Sequence, residues 1–104
     1  MAGAATRSKG RRGETEAKLL LANRDWIVAD LSAGISSEDL IAVDPDKNAW
    51  AVEVKNTLAI STMHRKQAQE QAKKRKAKWM LMSKIANTSC WLIQRQGYDP
   101  VVWK

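Results

Sequence analysis

The spacing of hydrophobic residues predicts a helix near the start of the chain. In residues 13–24 (GETEAKLLLANR) the apolar side chains recur at helical intervals, so Ala17 and Leu21 share one face. Acidic residues in the first turn favour a helix N-terminus. Glu14 falls near the apolar face, because it lies three residues before Ala17 and seven before Leu21. Glu16 lies about 200° further round the helix axis from Glu14 and is expected to face solvent.

Short apolar segments of strand length occupy much of the remaining chain. The first three are residues 26–30, 39–44 and 49–55. The turn formers PDKN separate the second from the third and predict a β-hairpin. The polar segment 61–79 lacks Gly and Pro and predicts a strongly basic second helix with a thin apolar side. The apolar run 79–83 is typical of a central strand, and 90–95 and 100–104 supply one or two more strands.

This order of elements predicts a single mixed α/β domain. A helix, three strands, a second helix and at least one further strand (α-β-β-β-α-β) form a mixed central sheet flanked by helices. The length of 104 residues suits one domain, and the chain has no internal repeat or interdomain linker. Residues 1–12 are small, polar and basic and predict a flexible arm, which leaves residues 13–104 as the folded domain.

Charge and cysteine content narrow the class of partner and the compartment. Lysine and arginine outnumber aspartate and glutamate by 18 to 11, a net charge of +7, and a small domain with this balance most often binds nucleic acid. Structural RNA-binding proteins share such a charge, so charge alone defines no activity. The single cysteine excludes an intrachain disulfide and, with one histidine, a zinc-type cluster. The chain has no secretory signal or membrane-spanning run, and a cytoplasmic protein without a membrane partner is expected.

The hairpin is expected to bring three charged side chains together. If Asp44 pairs with Asn48 across a three-residue loop, Asp39 lies directly opposite Glu53 on the neighbouring strand. Alternation along the strand points Lys55 to the same face as Glu53. Two carboxylates held this close repel each other unless a cation lies between them, and oxygen ligands of this kind suit Mg²⁺ or Mn²⁺. A neighbouring lysine can position an attacking water and stabilise charge that develops on a phosphate.

A simpler interpretation of the same residues competes with this one. An acid–x–lysine pair is common on solvated strand faces, and a basic helix is often a solvated face. Asp39 could merely begin a strand, and Glu14 could be a helix-start acid that responds to the helix dipole. Metal-dependent phosphodiester hydrolysis is favoured over this simpler interpretation because all the features occur together. The first helix and two paired strands each carry an acid, a lysine lies beside them, and the domain is basic.

At these residues the chain resembles the PD-(D/E)XK nuclease superfamily, whose core has a restriction-endonuclease-like α-β-β-β-α-β fold. EDLIAVD resembles the PD motif, with Glu38 in place of the proline, and VEVK resembles the (D/E)XK motif. Within the superfamily, the chain is most similar to archaeal-type Holliday junction resolvases. SKGRRGETE resembles their opening and aligns Glu14 with a catalytic glutamate, and SAG at 32–34 resembles their serine-glycine loop. Asp30 stands where the family often has arginine, a departure that concerns junction-specific contacts.

The resemblance implies a metal-dependent endonuclease that acts on branched DNA. It implies that Asp39, Glu53 and the backbone carbonyl of Val54 hold Mg²⁺ or Mn²⁺. It also implies that Lys55 supports the attacking water and that Glu14 completes the site. A homodimer is expected, because a symmetric dimer presents two active sites to a two-fold symmetric junction. Two alternatives stay open: a nuclease of the same fold with a nicking, exonucleolytic or restriction-like activity, and a non-catalytic nucleic-acid-binding domain.

The DNA-binding residues are predicted chiefly from positive charge. They are Arg7, Lys9, Arg11 and Arg12 of the arm, Ser32 of the serine-glycine loop, which follows from the resemblance, and Lys73, Lys74 and Lys76 of the second helix. Arg75 and Lys78 are expected to act in the same way, mainly through phosphates. Since four consecutive residues span the circumference of a helix, some of these side chains must face solvent.

Overall fold

The hydrophobic segments predicted as strands form one six-stranded sheet. The computed structural model describes residues 13, 15–30, 39–55, 58 and 62–104. In chain order the elements are α1 (residues 15–22), β1 (Ile27–Asp30), β2 (Asp39–Val43), β3 (Ala49–Lys55), α2 (Thr62–Lys74), β4 (Lys78–Lys84), β5 (Trp91–Arg95) and β6 (Tyr98–Trp103). The predicted order α-β-β-β-α-β is confirmed, and the C-terminal segments form two further strands.

The sheet is mixed because one of its connections is a crossover. Spatial order follows chain order from β1 to β6, and every neighbouring pair is antiparallel except β3 and β4, which are parallel. A parallel pair cannot be joined by a tight hairpin, and α2 provides the longer connection across one face of the sheet. The central position of β3 and β4 places the acid–x–lysine segment in the middle of the sheet.

The two helices cover opposite faces of the sheet. On β3, Trp50 belongs to the core cluster that contains Ala17 and Leu21 of α1. On β4, Leu81 packs with Ala68 of α2 in a separate cluster. Because alternate strand residues point to opposite faces, even-numbered positions of β3 and β4 face α1 and odd-numbered positions face α2. Residues 80–83 of β4 are buried throughout, as predicted for a central strand.

An ion pair links α1 to the end of β4. Lys84 Nζ lies 2.8 Å from Glu16 Oε2, and the Glu16 side chain is 41% exposed. Glu16 is therefore partly solvated, as the helical spacing predicts, but it also has a partner that the spacing did not predict. The pair places the first described turn of α1 near the carboxyl end of β4.

Helix α1 ends in a Schellman motif built without glycine. The Trp26 amide donates to the Leu21 carbonyl at 3.1 Å, and the Asp25 amide donates to the Ala22 carbonyl at 3.1 Å. Asp25 takes the left-handed conformation with φ 66°, a position that glycine usually fills. Trp26 and Leu21 are both buried in the same core cluster, which is the hydrophobic contact that accompanies this motif.

We expect the substitution Asp25→Gly to stabilise the fold by about 0.5 kcal/mol. Glycine removes the Cβ strain of a left-handed residue, and the gain is partly offset by greater freedom of the unfolded chain. Urea unfolding checks the value. Asp25→Ala is the control, since it removes the carboxylate but keeps the Cβ, and it should not stabilise. Equal stability changes in the two variants would contradict this interpretation of the motif.

Helix α2 ends at Lys74, five residues before the end of the predicted segment 61–79. Here too the chain forms a Schellman motif, with Ala77 donating to Ala72 at 3.0 Å and Lys76 donating to Lys73 at 3.2 Å. Lys76 has φ 53°. The prediction of a longer helix was wrong because a lysine occupies the position at which glycine would have signalled the end.

Aromatic side chains fill the core on the α1 face. Trp26 contacts Trp50 and Trp103 with ring centroids 6.1 and 6.0 Å apart, and all three are buried. The Arg95 guanidinium lies 4.0 Å from the centroid of the Tyr98 ring and 5.2 Å from that of Trp103. Such cation–π contacts stabilise a partly buried guanidinium against aromatic faces. The Arg24 guanidinium also lies 4.2 Å from the Trp103 centroid, so this end of the core combines apolar packing with stacked positive charges.

Candidate active site

The hairpin turn that sets the strand register is held by Asp44. Its carboxylate accepts hydrogen bonds from the Asn48 amide at 2.8 Å and from Trp50 Nε1 at 2.9 Å. The Lys47 amide donates to the Asp44 carbonyl at 2.9 Å, and Lys47 has φ 69°. This is a three-residue loop in which a turn is followed by one left-handed residue. The loop length is the one that the sequence predicts.

Hydrogen bonding also keeps Asp44 ionised. Desolvation by itself raises the pKa of Asp44, but the hydrogen bonds from Trp50 and Asn48 outweigh it, so the pKa lies below its ordinary value. A carboxyl group with a lowered folded-state pKa contributes stability above its unfolded pKa and loses it as the pH falls through the folded pKa. The turn is therefore stabilised at neutral pH and weakened in acid.

The register of the hairpin is the predicted one. Asp39 pairs with Glu53, Ile41 with Ala51, and residues 43 and 49 close the ladder next to the turn. The backbone of Asp39 thus lies directly opposite Glu53, where the Cβ atoms of paired residues are about 5 Å apart. The side chain of Asp39 lies outside the described part of the structure, so its contact with Glu53 stays a prediction.

Glu53 is a buried carboxylate paired with a lysine on its own strand. Glu53 has a relative exposure of 9%, and Lys55 Nζ lies 3.3 Å from Glu53 Oε1. Both residues occupy odd-numbered positions of β3 and face α2. A buried carboxylate is costly unless a charge or hydrogen bonds compensate it. Glu53 and Lys55 share a face, as the strand alternation predicts, and Lys55 keeps enough exposure, 24% of its side chain, to meet a ligand.

A narrow, closely packed crevice lies between Glu53 and α2, with no room for a water molecule. Its polar lining comes from Glu53 on the sheet and from Gln71 and Arg75 on the helix side. Gln71 and Arg75 are half-buried, unlike Lys74, which is exposed. The face of α2 that covers Glu53 therefore carries polar side chains as well as small alanines.

Ser83 adds a buried hydroxyl to the same face of the sheet. It pairs with Lys55 across the parallel β3–β4 ladder and is fully buried. Its Oγ has no hydrogen-bond partner. Buried polar atoms without a partner are uncommon and often mark a position for water or an ion. Ser83 was not predicted as a site residue, because the segment 79–83 was predicted only as an apolar central strand.

The described side chains of this face offer one carboxylate ligand. Carboxylate oxygens are ligands that Mg²⁺ and Mn²⁺ prefer, and Glu53 supplies such a group. Among the described side chains, which include neither Asp39 nor Glu14, no group of three His, Cys, Asp or Glu residues could hold a metal. Glu53 is thus the one predicted ligand whose side chain the structure describes.

The other predicted residues fall into two groups. Lys73, Lys74 and Lys76 are described and exposed at the C-terminal end of α2. Six lie outside the described residues: Arg7, Lys9, Arg11, Arg12, Glu14 and Ser32. Gln71 and Arg75 were not predicted to line the site. Their spacing from Ala68 by three and seven residues puts them on the buried helical face, and this was the signal in the sequence that could have found them.

The mixed sheet with a helix on each face, and the acid–x–lysine segment on its third strand, form a restriction-endonuclease-like fold. Hjc from Archaeoglobus fulgidus, a Holliday junction resolvase from an archaeal hyperthermophile, has a similar solved structure. It is 17% identical, with a TM-score of 0.58, and the match covers 89% of this chain and 86% of Hjc. The predicted fold class is confirmed by this likeness.

Comparisons of sequence alone gave no relatives. No protein-family model and no curated protein matches the chain. Within the described part of the chain, no helix is long and apolar enough to cross a membrane.

Proposed function

We propose that this protein is a Mg²⁺- or Mn²⁺-dependent endonuclease that hydrolyses phosphodiester bonds of branched DNA. The observation that carries the proposal is the pairing of Asp39 with Glu53 beside the Glu53–Lys55 ion pair, within a fold shared with a Holliday junction resolvase. The partner is DNA, in keeping with the net charge of +7. Cleavage of junctions would serve recombination or repair.

In this mechanism, Asp39, Glu53 and the Val54 carbonyl would hold the divalent cation. The cation, when bound, would supply a coordinated water that is more acidic than bulk water and would neutralise charge on the phosphate. Lys55 lies at the edge of the site, where its ammonium group orients the attacking water and stabilises charge that develops on the scissile phosphate. Glu14 completes the site from the first helix. The burial of Glu53 strengthens each of these electrostatic contacts by excluding bulk water.

A homodimer is the form that suits a four-way junction. The junction has two strands to cut in symmetric positions, and a two-fold symmetric pair of chains presents one active site to each. Competition binding in Ca²⁺, with a labelled four-way junction and unlabelled competitors, tests the substrate class. We expect unlabelled junction to compete at least about tenfold better than duplex of equal length. Equal competition would favour a nuclease of the same fold that acts on linear DNA.

The basic surface should act mainly through phosphates, so junction affinity should fall steeply with salt. Each lost phosphate contact reduces the slope of log affinity against log salt by about one. Two variants measured across a salt series test this: deletion of residues 1–12, and replacement of Lys73, Lys74 and Lys76 by glutamine. We expect a shallower slope in both. Unchanged slopes would show that these charges serve solubility and that DNA binds elsewhere.

A further inference from the structure

Arg75 differs from the lysines that surround it in the sequence. Lys73, Lys74 and Lys76 are exposed, whereas Arg75 is half-buried and lines the narrow crevice that Glu53 also lines. Its position follows from helix geometry, because Arg75 lies four residues after Gln71 and seven after Ala68, on the face that packs against the sheet. Residues 73–76, which the sequence predicts as one DNA-binding surface, therefore include one residue, Arg75, that lies beside Glu53. We call Glu53 and the paired position Asp39 the acidic site.

The crevice brings a second cation close to Glu53. Lys55 lies 3.3 Å from the carboxylate along the strand, and Arg75, in the turn that follows α2, lines the same closely packed crevice as Glu53. A guanidinium stays charged at all physiological pH values and presents several donors in a fixed plane, which suits it to orient a carboxylate. A fixed positive charge in a partly buried site also opposes the approach of any further cation.

We propose that Arg75 is a positioning residue of the acidic site and not a phosphate contact. It holds the Glu53 carboxylate from the side of α2 and sets how tightly the site takes a divalent cation. The inference rests on the proposed function, since it assumes that Glu53 is a metal ligand. It separates Arg75 from the neighbouring lysines by role: they govern DNA affinity, and Arg75 governs metal affinity.

Calorimetric titration of the full chain with MnCl₂, without DNA and at about 0.15 M salt, tests the role directly. Arg75→Met keeps most of the aliphatic stem and removes the charge, and we expect Mn²⁺ affinity to rise about three- to tenfold. Arg75→Lys restores the charge and should stay within about twofold of wild type. Lys74→Met is the matched control, because its charge is exposed and screened at this salt, and it should also stay within about twofold.

A second measurement distinguishes the two roles that Arg75 could have, positioning of Glu53 and contact with a DNA phosphate. Arg75→Met should leave the salt slope of junction binding unchanged, because no phosphate contact is lost. Thermal melting confirms that each variant folds, and Arg75→Gln is measured beside Arg75→Met as a second uncharged variant. Mn²⁺ affinity equal to that of wild type in both uncharged variants, or a salt slope lowered by about one, would overturn the role of Arg75. A wild-type chain that binds no Mn²⁺ would instead overturn the proposed function, and the role of Arg75 with it.

Discussion

The substitution Glu53→Gln is expected to abolish metal-dependent cleavage of DNA, with a loss on the order of 10³-fold or more. The neutral amide has nearly the shape of the carboxylate but is a poor ligand for Mg²⁺, which depends on charged oxygen atoms. Asp39→Asn on the paired strand should have the same effect. DNA binding should be unchanged or tighter, because removal of a negative charge reduces repulsion of the phosphates. Single-turnover cleavage and a binding titration measure the two effects separately.

A matched control for this change lies on the outer face of α2. Glu70 is exposed, and Glu70→Gln makes the same chemical change away from the site. It should cleave at the wild-type rate. If Glu53→Gln or Asp39→Asn retained Mg²⁺-dependent cleavage, the assignment of the metal ligands would be wrong.

The substitution Lys55→Ala is expected to keep the metal and lose most of the rate, by about 10²- to 10³-fold. The ammonium group beside Glu53 Oε1 would no longer orient the attacking water or stabilise the developing charge on the phosphate. Because the carboxylates remain, Mn²⁺ should still bind, and its affinity should rise as a neighbouring positive charge is removed. Calorimetry for the metal and a cleavage time course for the rate distinguish a catalytic loss from a binding loss.

Lys84→Ala provides the control for Lys55→Ala. Lys84 is also a partly buried lysine paired with a glutamate, at 2.8 Å, but it occupies an even-numbered position of β4 and faces α1. Its loss removes a comparable ion pair and should reduce stability without reducing the cleavage rate of the folded protein. Normal cleavage by Lys55→Ala would make Lys55 an ordinary residue of a strand face.

The hairpin and its register could be predicted because local chemistry determines them. Asp44 and Asn48 close a three-residue loop, and once the loop length is known, every cross-strand partner follows by counting. The alternation of β3 then places Glu53 and Lys55 on one face. The neighbours of the other strands were not predicted: a parallel pair such as β3 and β4 needs a long crossover, but a long segment alone does not specify the partner strand.

The polar face of α2 and the end of that helix could not be predicted from the same patterns. A buried helical face is usually recognised in the sequence by large apolar residues. Here the buried face of α2 consists of Ala68 and Ala72 with the polar residues Gln71 and, in the turn that follows, Arg75, whereas Met63 is exposed. Two residues after the helix ends, Lys76 takes the left-handed conformation, which costs energy that tertiary contacts must offset. In both cases packing against the sheet overrides local preference, and Arg75 faces the acidic site as a result.

Cleavage of a labelled four-way junction, compared with linear duplex of equal length and with and without Mg²⁺, tests the central claim most directly. The wild-type protein is predicted to cut the junction in pairs of symmetric positions with Mg²⁺, to cut neither substrate without it, and to leave the duplex largely intact. Cleavage that is independent of a divalent metal, or no cleavage of either substrate with Mg²⁺ or Mn²⁺, would contradict a metal-dependent nuclease built on Asp39, Glu53 and Lys55.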